Sequence, residues 1–137
     1  MARIVAIDYG NKRTGLAVTD PMQIIATALE TVPTHTLIDR LKAYVAAEPV
    51  EAFVVGWPTN TDGTDTDTTA PVRGLIKKLK AVFPDQTVYQ HDERFTSRMA
   101  LQSMIAGGTS KKDRRVKGNI DMVSATIILQ SFMESKN

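Results

Sequence analysis

The sequence predicts an α/β fold built on a mixed five-stranded sheet flanked by helices. The first third of the chain holds three short apolar, β-branched runs separated by turn residues, a pattern typical of antiparallel strands. The remainder alternates segments of helical periodicity with short apolar runs, which is typical of β-α-β units with parallel strands. The chain has 137 residues, and a domain of this size buries roughly two-thirds of its surface on folding. We therefore expect one domain over residues 1–137.

The first three strands are predicted to form an antiparallel meander. Arg3 to Asp8 and Leu16 to Thr19 are rich in β-branched and apolar residues. Tyr9 to Arg13 lies between them and contains the turn-forming pair Gly-Asn. A third strand is expected at about Ile24 to Val32, after an Asp-Pro turn.

The later elements alternate between helical and strand patterns. From His35 the apolar residues recur at spacings of three and four, which predicts a helix that ends before Pro49. The elements expected after it are a buried strand, a helix, a strand and two helices, namely Glu51 to Trp57, Val72 to Phe83, Thr87 to His91, Ser97 to Ala106 and Ile120 to Met133. A polar loop, Pro58 to Thr69, precedes the second helix.

The composition excludes several classes of site. There is no cysteine, so disulfides and cysteine-bound zinc are excluded, and with two histidines a histidine-rich metal cage is not expected. The apolar run near Met1 is shorter than the core of a signal peptide, and no stretch has the roughly 18 apolar residues of a membrane helix. We expect a cytoplasmic protein that does not associate with membranes.

Positive charge is concentrated in one glycine-bounded segment, residues 107–118. This segment holds five basic residues and one acidic residue, so its net charge is +4. The whole chain has a net charge of +2, so the rest of the chain has a net charge of −2. Such a cluster attracts polyphosphates by Coulomb forces and counterion release. We interpret it as a nucleic-acid clamp that orders on binding, with a merely solvated charge run as the alternative; its basic residues are Lys111, Lys112, Arg114, Arg115 and Lys117.

Four local patterns, taken in order, narrow the fold further. They are Asp8 to Val18 (DYGNKRTGLAV), Val54 to Pro58 (VVGWP), Asp92 to Ser97 (DERFTS), and Asp121 at the start of the last predicted helix. Together they closely resemble the YqgF family of the ribonuclease H-like superfamily, described as Holliday-junction resolvases and as pre-16S ribosomal RNA nucleases. The resemblance covers essentially the whole chain.

The resemblance implies a nuclease that holds Mg²⁺ or Mn²⁺ with Asp8, Glu93 and Asp121 and cleaves phosphodiesters by in-line attack of water. The residues support two of these positions. Asp8 ends a predicted central strand, the usual place for a site in an α/β sheet. Asp121 shares a helix face with the apolar Ala125 and Ile128, so its carboxylate is expected toward the sheet. The alternatives are a turn aspartate at position 8 and a favourable helix-dipole position for Asp121.

The second acid is less well defined by the sequence. Because neighbouring strand residues point to opposite faces, only one of Asp92 and Glu93 can enter the site from a regular strand. The resemblance favours Glu93, which leaves Asp92 to cap the turn or the next helix. Many ribonuclease H-like nucleases take an acid from the fourth strand, whereas here that strand ends in Gly-Trp-Pro without one. In this respect the predicted metal site differs from the common pattern of the superfamily.

Several further residues are candidates for contact with the substrate. Lys12 and Arg13 follow Asp8 in the hairpin, where they either contact a phosphate or pair with a carboxylate. Glycines in this hairpin allow the backbone to approach a phosphate closely. The remaining candidates are Gly10 and Gly15 for that approach, Arg94 for phosphate or for Asp92, Thr96 or Ser97 as a helix N-cap, and Tyr9 and Trp57 for base stacking or core packing.

Competing functions stay open at this stage. The hairpin also resembles the phosphate-binding hairpin of actin-like and sugar-kinase proteins, but those need two lobes and this chain has room for one. A non-catalytic RNA-binding assembly factor is a second rival. Within the nuclease interpretation, the resemblance favours the 5′ end of precursor 16S ribosomal RNA over branched DNA, in contact with ribosomal assembly intermediates. The sequence leaves a monomer and a weak homodimer equally open.

The basic segment generates the first testable prediction. Replacing Lys111, Lys112, Arg114 and Arg115 with glutamine should weaken nucleic-acid binding and flatten its dependence on salt, because up to four phosphate contacts disappear. For a duplex, the slope of log K against log [KCl] should fall by up to about 3.6. Titration of the protein into labelled nucleic acid at several KCl concentrations measures it, and an unchanged slope would exclude the clamp.

Overall fold

The structure is a computed structural model that describes residues 2–57, 69–92 and 117–136, with side chains over residues 2–57, 70–91 and 124–134. Its five strands form a single mixed sheet in the order β3-β2-β1-β4-β5. The strands are β1 (Arg3–Asp8), β2 (Arg13–Thr19), β3 (Ala26–Pro33), β4 (Val50–Trp57) and β5 (Thr87–Asp92). β1 pairs antiparallel with β2, and β2 with β3, whereas β4 pairs parallel with β1 and β5. The predicted mixed five-stranded sheet is confirmed.

The described helices connect or cover these strands. A short 3₁₀ turn, Thr34–Thr36, leads into the first of three helices, α1 (Leu37–Ala47), α2 (Thr69–Val82) and α3 (Lys117–Lys136). The predicted helix over residues 97–106 and most of the basic segment lie outside the described residues. None of the helices in the described ranges is both long and apolar enough to cross a membrane.

Strand β1 divides the protein interior into two cores. Its odd-numbered residues, Val5 and Ile7, belong to the core beneath α1 and α2. Its even-numbered residues, Ile4 and Ala6, belong to the core beneath α3. This follows from the two-residue period of a strand, which sends successive side chains to opposite faces. We call these two sides of the sheet the α1–α2 face and the α3 face.

Strand β4 contributes to both cores, as expected from its continuous apolar sequence. Phe53 and Val55 pack on the α1–α2 face, where the Phe53 ring lies 5.0 Å from that of Phe83. Ala52 and Val54 pack on the α3 face. A parallel strand that is buried on both sides consists mainly of apolar residues. Most of β4 therefore contributes to the two cores and not to a polar site.

The loop after β1 is held by a single threonine. The Thr34 hydroxyl donates to the Gly10 carbonyl at 2.6 Å, and the Thr34 amide donates to the Lys12 carbonyl at 3.0 Å. Because a hydroxyl has one proton, the fully buried Thr14 hydroxyl must be the donor in its 2.9 Å bond to the Thr34 oxygen. The start of the α1 segment therefore fixes the β1–β2 loop that follows Asp8.

Asp20 organises the turn between β2 and β3. Its carboxylate accepts bonds from the amides of Ile24 and Ile25, both at 2.7 Å, and from Met22 at 3.1 Å. These bonds, that of Ile25 foremost, lower the pKa of Asp20 below 3.8. A depressed carboxyl pKa stabilises the fold above the unfolded-state pKa, and the contribution is lost as the pH falls through the folded-state value. The turn is therefore expected to weaken only in acid.

The threonine network generates a stability prediction. Thr34→Val keeps the side-chain shape but leaves the Thr14 hydroxyl and the Gly10 carbonyl without this partner, so the free energy of unfolding should fall by about 1–3 kcal/mol. Urea denaturation monitored by circular dichroism measures the change. Thr36→Val is the matched control, since it removes only an exposed bond to the Pro33 carbonyl. Equal effects of the two substitutions would contradict the proposed role of Thr34.

Candidate active site

Asp8 is the last residue of β1 and lies on the α3 face of the sheet. Its side chain has the same strand parity as Ile4 and Ala6, which pack under α3. The residue is half-buried, whereas the four residues before it are buried. β1 is the middle strand of the sheet order, so the predicted carboxylate stands at the carboxyl end of the central strand and is accessible from solvent.

Asp8 has a glycine on each neighbouring strand. Asp8 pairs with Gly15 of β2, and Ile7 pairs with Val55 of β4, so that Gly56 is the next residue of β4 along this edge. Both glycines are buried. Adjacent strands lie roughly 4.8 Å apart, and on either side of Asp8 the adjoining position has no side chain. Neither of these two strands therefore places a side chain directly beside the carboxylate.

His91 lies on the same face, on the far side of Gly56. It pairs in register with Gly56, and its ring nitrogen Nε2 is 2.8 Å from the Ser131 hydroxyl of α3. The ring also meets Phe132 edge-on, with centroids 6.2 Å apart. This contact joins the end of β5 to α3, the helix that contains Asp121, and no pattern in the sequence indicated it.

Helix α3 presents the predicted face to the sheet. Ala125, Ile128 and Phe132 are buried against it, as the helical spacing predicts. The prediction that Asp121 heads this helix is wrong, because α3 begins at Lys117 and has no acidic residue in its first turn. Asp121 therefore lies in the second turn, where the helix dipole acts less. The dipole explanation for this aspartate loses its support.

The hairpin after Asp8 has structural reasons for its sequence. A Cβ atom added to Gly10 would lie 2.3 Å from the Arg13 carbonyl oxygen, so the loop excludes any side chain there. Lys12 and Arg13 are exposed at this loop. The close backbone approach thus explains Gly10 without a phosphate, while both basic side chains remain reachable by a ligand.

The two aromatic candidates pack on the α1–α2 face. Tyr9 and Trp57 are half-buried against the core beneath α1 and α2. The Arg73 guanidinium lies 5.5 Å from the centroid of the Trp57 ring, a cation–π arrangement. Core packing, one of the two interpretations left open for each residue, is thus present in the structure.

The other predicted site residues lie wholly or partly outside the described part of the chain. Glu93 lies outside the described residues, and the side chains of Asp92, Lys117 and Asp121 do too, although their backbones belong to β5 and α3. Lys117, predicted in the basic loop, is the first residue of α3. The described side chains contain no group of three or more acidic or histidine residues able to hold a metal ion. Also outside the described residues are Arg94, Thr96, Lys111, Lys112, Arg114 and Arg115.

A cavity that the sequence did not predict separates α1 from α2. Its volume is about 520 Å³, and it lies on the opposite side of the sheet from Asp8. Lys42 of α1 and Lys78 of α2 line it together with Asp39 and His35. The apolar part of its wall includes Leu37 and Leu75, which also belong to the adjoining core.

The sheet order, the antiparallel start and the acid at the end of β1 define a ribonuclease H-like α/β protein. The chain is similar to the solved structure "T. thermophilus RuvC in complex with Holliday junction substrate", with a TM-score of 0.61 over 99% of this chain and 96% of that one. Sequence identity is 19%, so this likeness shows the fold alone.

The sequence places the chain more narrowly within this class. Residues 2–135 match the RuvX family, described as Holliday junction resolvase, and the chain belongs to this family, also called YqgF. A protein of Flavobacterium johnsoniae named "Putative pre-16S rRNA nuclease" is 53% identical over 136 residues, covering 99% of both chains. A protein of the same name from Amoebophilus asiaticus is 53% identical over 135 residues, covering 98% of this chain and 96% of its own length. The predicted family, fold and nuclease class are confirmed.

Replacing Gly10 and Gly74 by alanine should have opposite effects on stability, because only Gly10 lies against neighbouring backbone. Gly10→Ala should lower the free energy of unfolding by about 1–3 kcal/mol, because its Cβ would collide with the Arg13 carbonyl. Gly74→Ala should raise it by about 0.5–1 kcal/mol, because the position is helical and nothing lies within 4 Å of the new Cβ. Chemical denaturation of both variants tests the pair; a neutral Gly10→Ala would contradict the loop geometry.

Proposed function

We propose that this chain is a cytoplasmic, metal-dependent endonuclease that processes the 5′ end of precursor 16S ribosomal RNA. The observation that carries the proposal is the position of Asp8, at the carboxyl end of the central strand between two glycines. A carboxylate accessible beside two bare backbone positions suits a metal ion and a phosphodiester. The names of the related proteins support the choice of ribosomal RNA.

Strand alternation supports Glu93 as the second acid. His91 lies on the α3 face, where it contacts Ser131, and Glu93 follows it by two positions. Side chains two positions apart in a strand share a face. If the alternation of β5 continues one residue past Asp92, where the described strand ends, it would bring Glu93 and not Asp92 to the face of Asp8.

Helical phase supports Asp121 as the third acid. It precedes Ala125 by four residues and Ile128 by seven, and both of these are buried against the sheet. Residues at these spacings share one side of a helix. The backbone of α3 therefore favours an orientation of Asp121 toward the sheet face that carries Asp8.

The donor set fits Mg²⁺ or Mn²⁺, because these ions prefer carboxylate oxygen ligands and keep open positions for water and substrate. Asp8, Glu93 and Asp121 would hold one or two such ions. A bound ion supplies charge neutralisation at the phosphate and lowers the pKa of water. In its absence, neighbouring carboxylates raise each other's pKa, so an ion that binds the folded state stabilises it by mass action.

The chain's own residues would orient the nucleic acid. Lys12 lies in the loop that follows Asp8 and Arg13 begins β2. Both are exposed and could bind the phosphate next to the one that is cut. Gly15 and Gly56 leave the floor of the site without side chains, so the polynucleotide backbone can approach the Asp8 carboxylate. These contacts recognise phosphates and not bases, so they position the substrate without reading its sequence.

Branched DNA is the second candidate substrate. The family description, Holliday junction resolvase, favours it. Resolution of a symmetric junction needs two cuts by paired sites, whereas trimming of a precursor RNA needs one. A cleavage assay that offers both a precursor 16S RNA fragment and a four-way DNA junction distinguishes the two, and cleavage of neither would favour a non-catalytic assembly factor.

Asp8→Asn tests the mechanism directly. It should reduce cleavage by far more than the roughly 10²-fold that loss of a residue supporting a metal ligand costs, because it removes a ligand and a charge. The wild-type protein should also gain stability in Mg²⁺ or Mn²⁺, by about 2.7 kcal/mol at a hundredfold excess over Kd, and the variant should gain much less. Metal-dependent cleavage and thermal melting measure the two effects.

Asp39→Asn is the matched control, since it makes the same chemical change at an exposed residue by the α1–α2 cavity. It should keep both the cleavage rate and the stabilisation by metal. If Asp8→Asn cleaves at the wild-type rate, the proposed mechanism is wrong.

A further inference from the structure

Helix α2 is basic along its whole length. Its 14 residues, Thr69–Val82, include Arg73, Lys77, Lys78 and Lys80 and no acidic residue. All four basic side chains are exposed. A solvated helix face ordinarily mixes charges of both signs, so this composition calls for a separate explanation.

Three of these residues form one line on the helix surface. Arg73, Lys77 and Lys80 follow at spacings of four and three, which places them on one side of the helix. We call them the α2 stripe. Lys78 points to the other flank, where it lines the cavity shared with α1. The stripe therefore faces away from α1.

The like charges of Lys77 and Lys80 repel each other along the helix. Like charges at i,i+3 and i,i+4 destabilise a helix by roughly 0.2–0.5 kcal/mol per pair. Helix α2 itself holds no acidic residue that could pair with Lys77 or Lys80 along the helix. A bound polyanion would relieve the repulsion.

The stripe begins at the carboxyl ends of the parallel strands, which is the same end of the sheet that carries Asp8. Parallel β4 and β5 require α2 to run back against the strand direction, so its first turns lie at the carboxyl ends of the strands. The Arg73 guanidinium lies over Trp57, the last residue of β4. From Arg73 to Lys80 the helix rises by about 10 Å, at roughly 1.5 Å per residue.

We propose that the α2 stripe binds the phosphate backbone of the nucleic-acid substrate on one side of the cut. A polynucleotide with a phosphodiester beside Asp8 would continue past Trp57 and along α2. Three cations spread over about 10 Å are close enough to contact neighbouring phosphates of one strand, which advance by roughly 3.4 Å along the duplex axis. The inference rests on the proposed nuclease function and adds a second cationic surface to the one predicted at residues 111–117.

Two double variants of equal charge test it. Lys77→Gln with Lys80→Gln removes two stripe cations, whereas Lys42→Gln with Lys78→Gln removes two cations from the α1–α2 cavity. Binding to a four-way DNA junction and to an RNA hairpin is measured against KCl concentration without divalent ions. The stripe variant should reduce the slope of log K against log [KCl] by about 1.8 for duplex arms, and the cavity variant should leave it unchanged.

Three outcomes decide the question. A slope lowered only in the stripe variant supports the inference. An unchanged slope in that variant, or an equal fall in both variants, overturns it, since the second result would reflect net charge and not position. The binding assay contains no divalent ions, so it does not depend on cleavage. If the stripe proposal is wrong, the salt dependence of binding shows it. If the nuclease proposal is wrong, Asp8→Asn retains cleavage.

Discussion

The arrangement of the whole protein depends on the burial of β1 between β2 and β4. Ile4, Val5, Ala6 and Ile7 are at most 1% exposed, and their side chains feed both cores in alternation. This alternation determines which helices cover which face of the sheet. It also determines that Asp8, the residue after the buried run, stands at the carboxyl end of β1 with its side chain on the α3 face. A shift of one residue in register would move the carboxylate under α1 and α2.

The two faces of the sheet are thereby assigned different chemistry. The α3 face carries Asp8, the paired glycine positions and the His91–Ser131 contact. The opposite face carries the cavity and the basic helix α2. What links them is the carboxyl edge of the sheet, where β1 and β4 both end. Under the proposed function, the nucleic acid would cross this end of the sheet to contact both surfaces.

Much of this arrangement is predictable from the sequence because periodicity reports burial directly. The five strands follow from short apolar, β-branched runs between turn residues, and α1, α2 and the buried residues Ala125 and Ile128 follow from spacings of three and four. The start of α3 does not, because Gly118 and Asn119 are poor helix formers and the helix begins before them. The His91–Ser131 contact joins positions forty residues apart, and the glycines beside Asp8 require the strand register. The net charge of the chain outside residues 107–118 is negative, so the total charge gave no indication of the α2 stripe.

The separation of Asp8 from the α2 stripe affects the electrostatics of the proposed site. Two opposite charges 4 Å apart near a protein surface attract by about 4 kcal/mol at an effective dielectric constant of 20, and at 10 Å by well under half of that. A lysine in contact with Asp8 would thus compete with a metal ion for the carboxylate, and the carboxylate would compete with phosphate for the lysine. Because α2 and α3 lie on opposite faces of the sheet, Lys77 and Lys80 are kept from Asp8. Under the proposed function, a nucleic acid with bound cations would contact both surfaces.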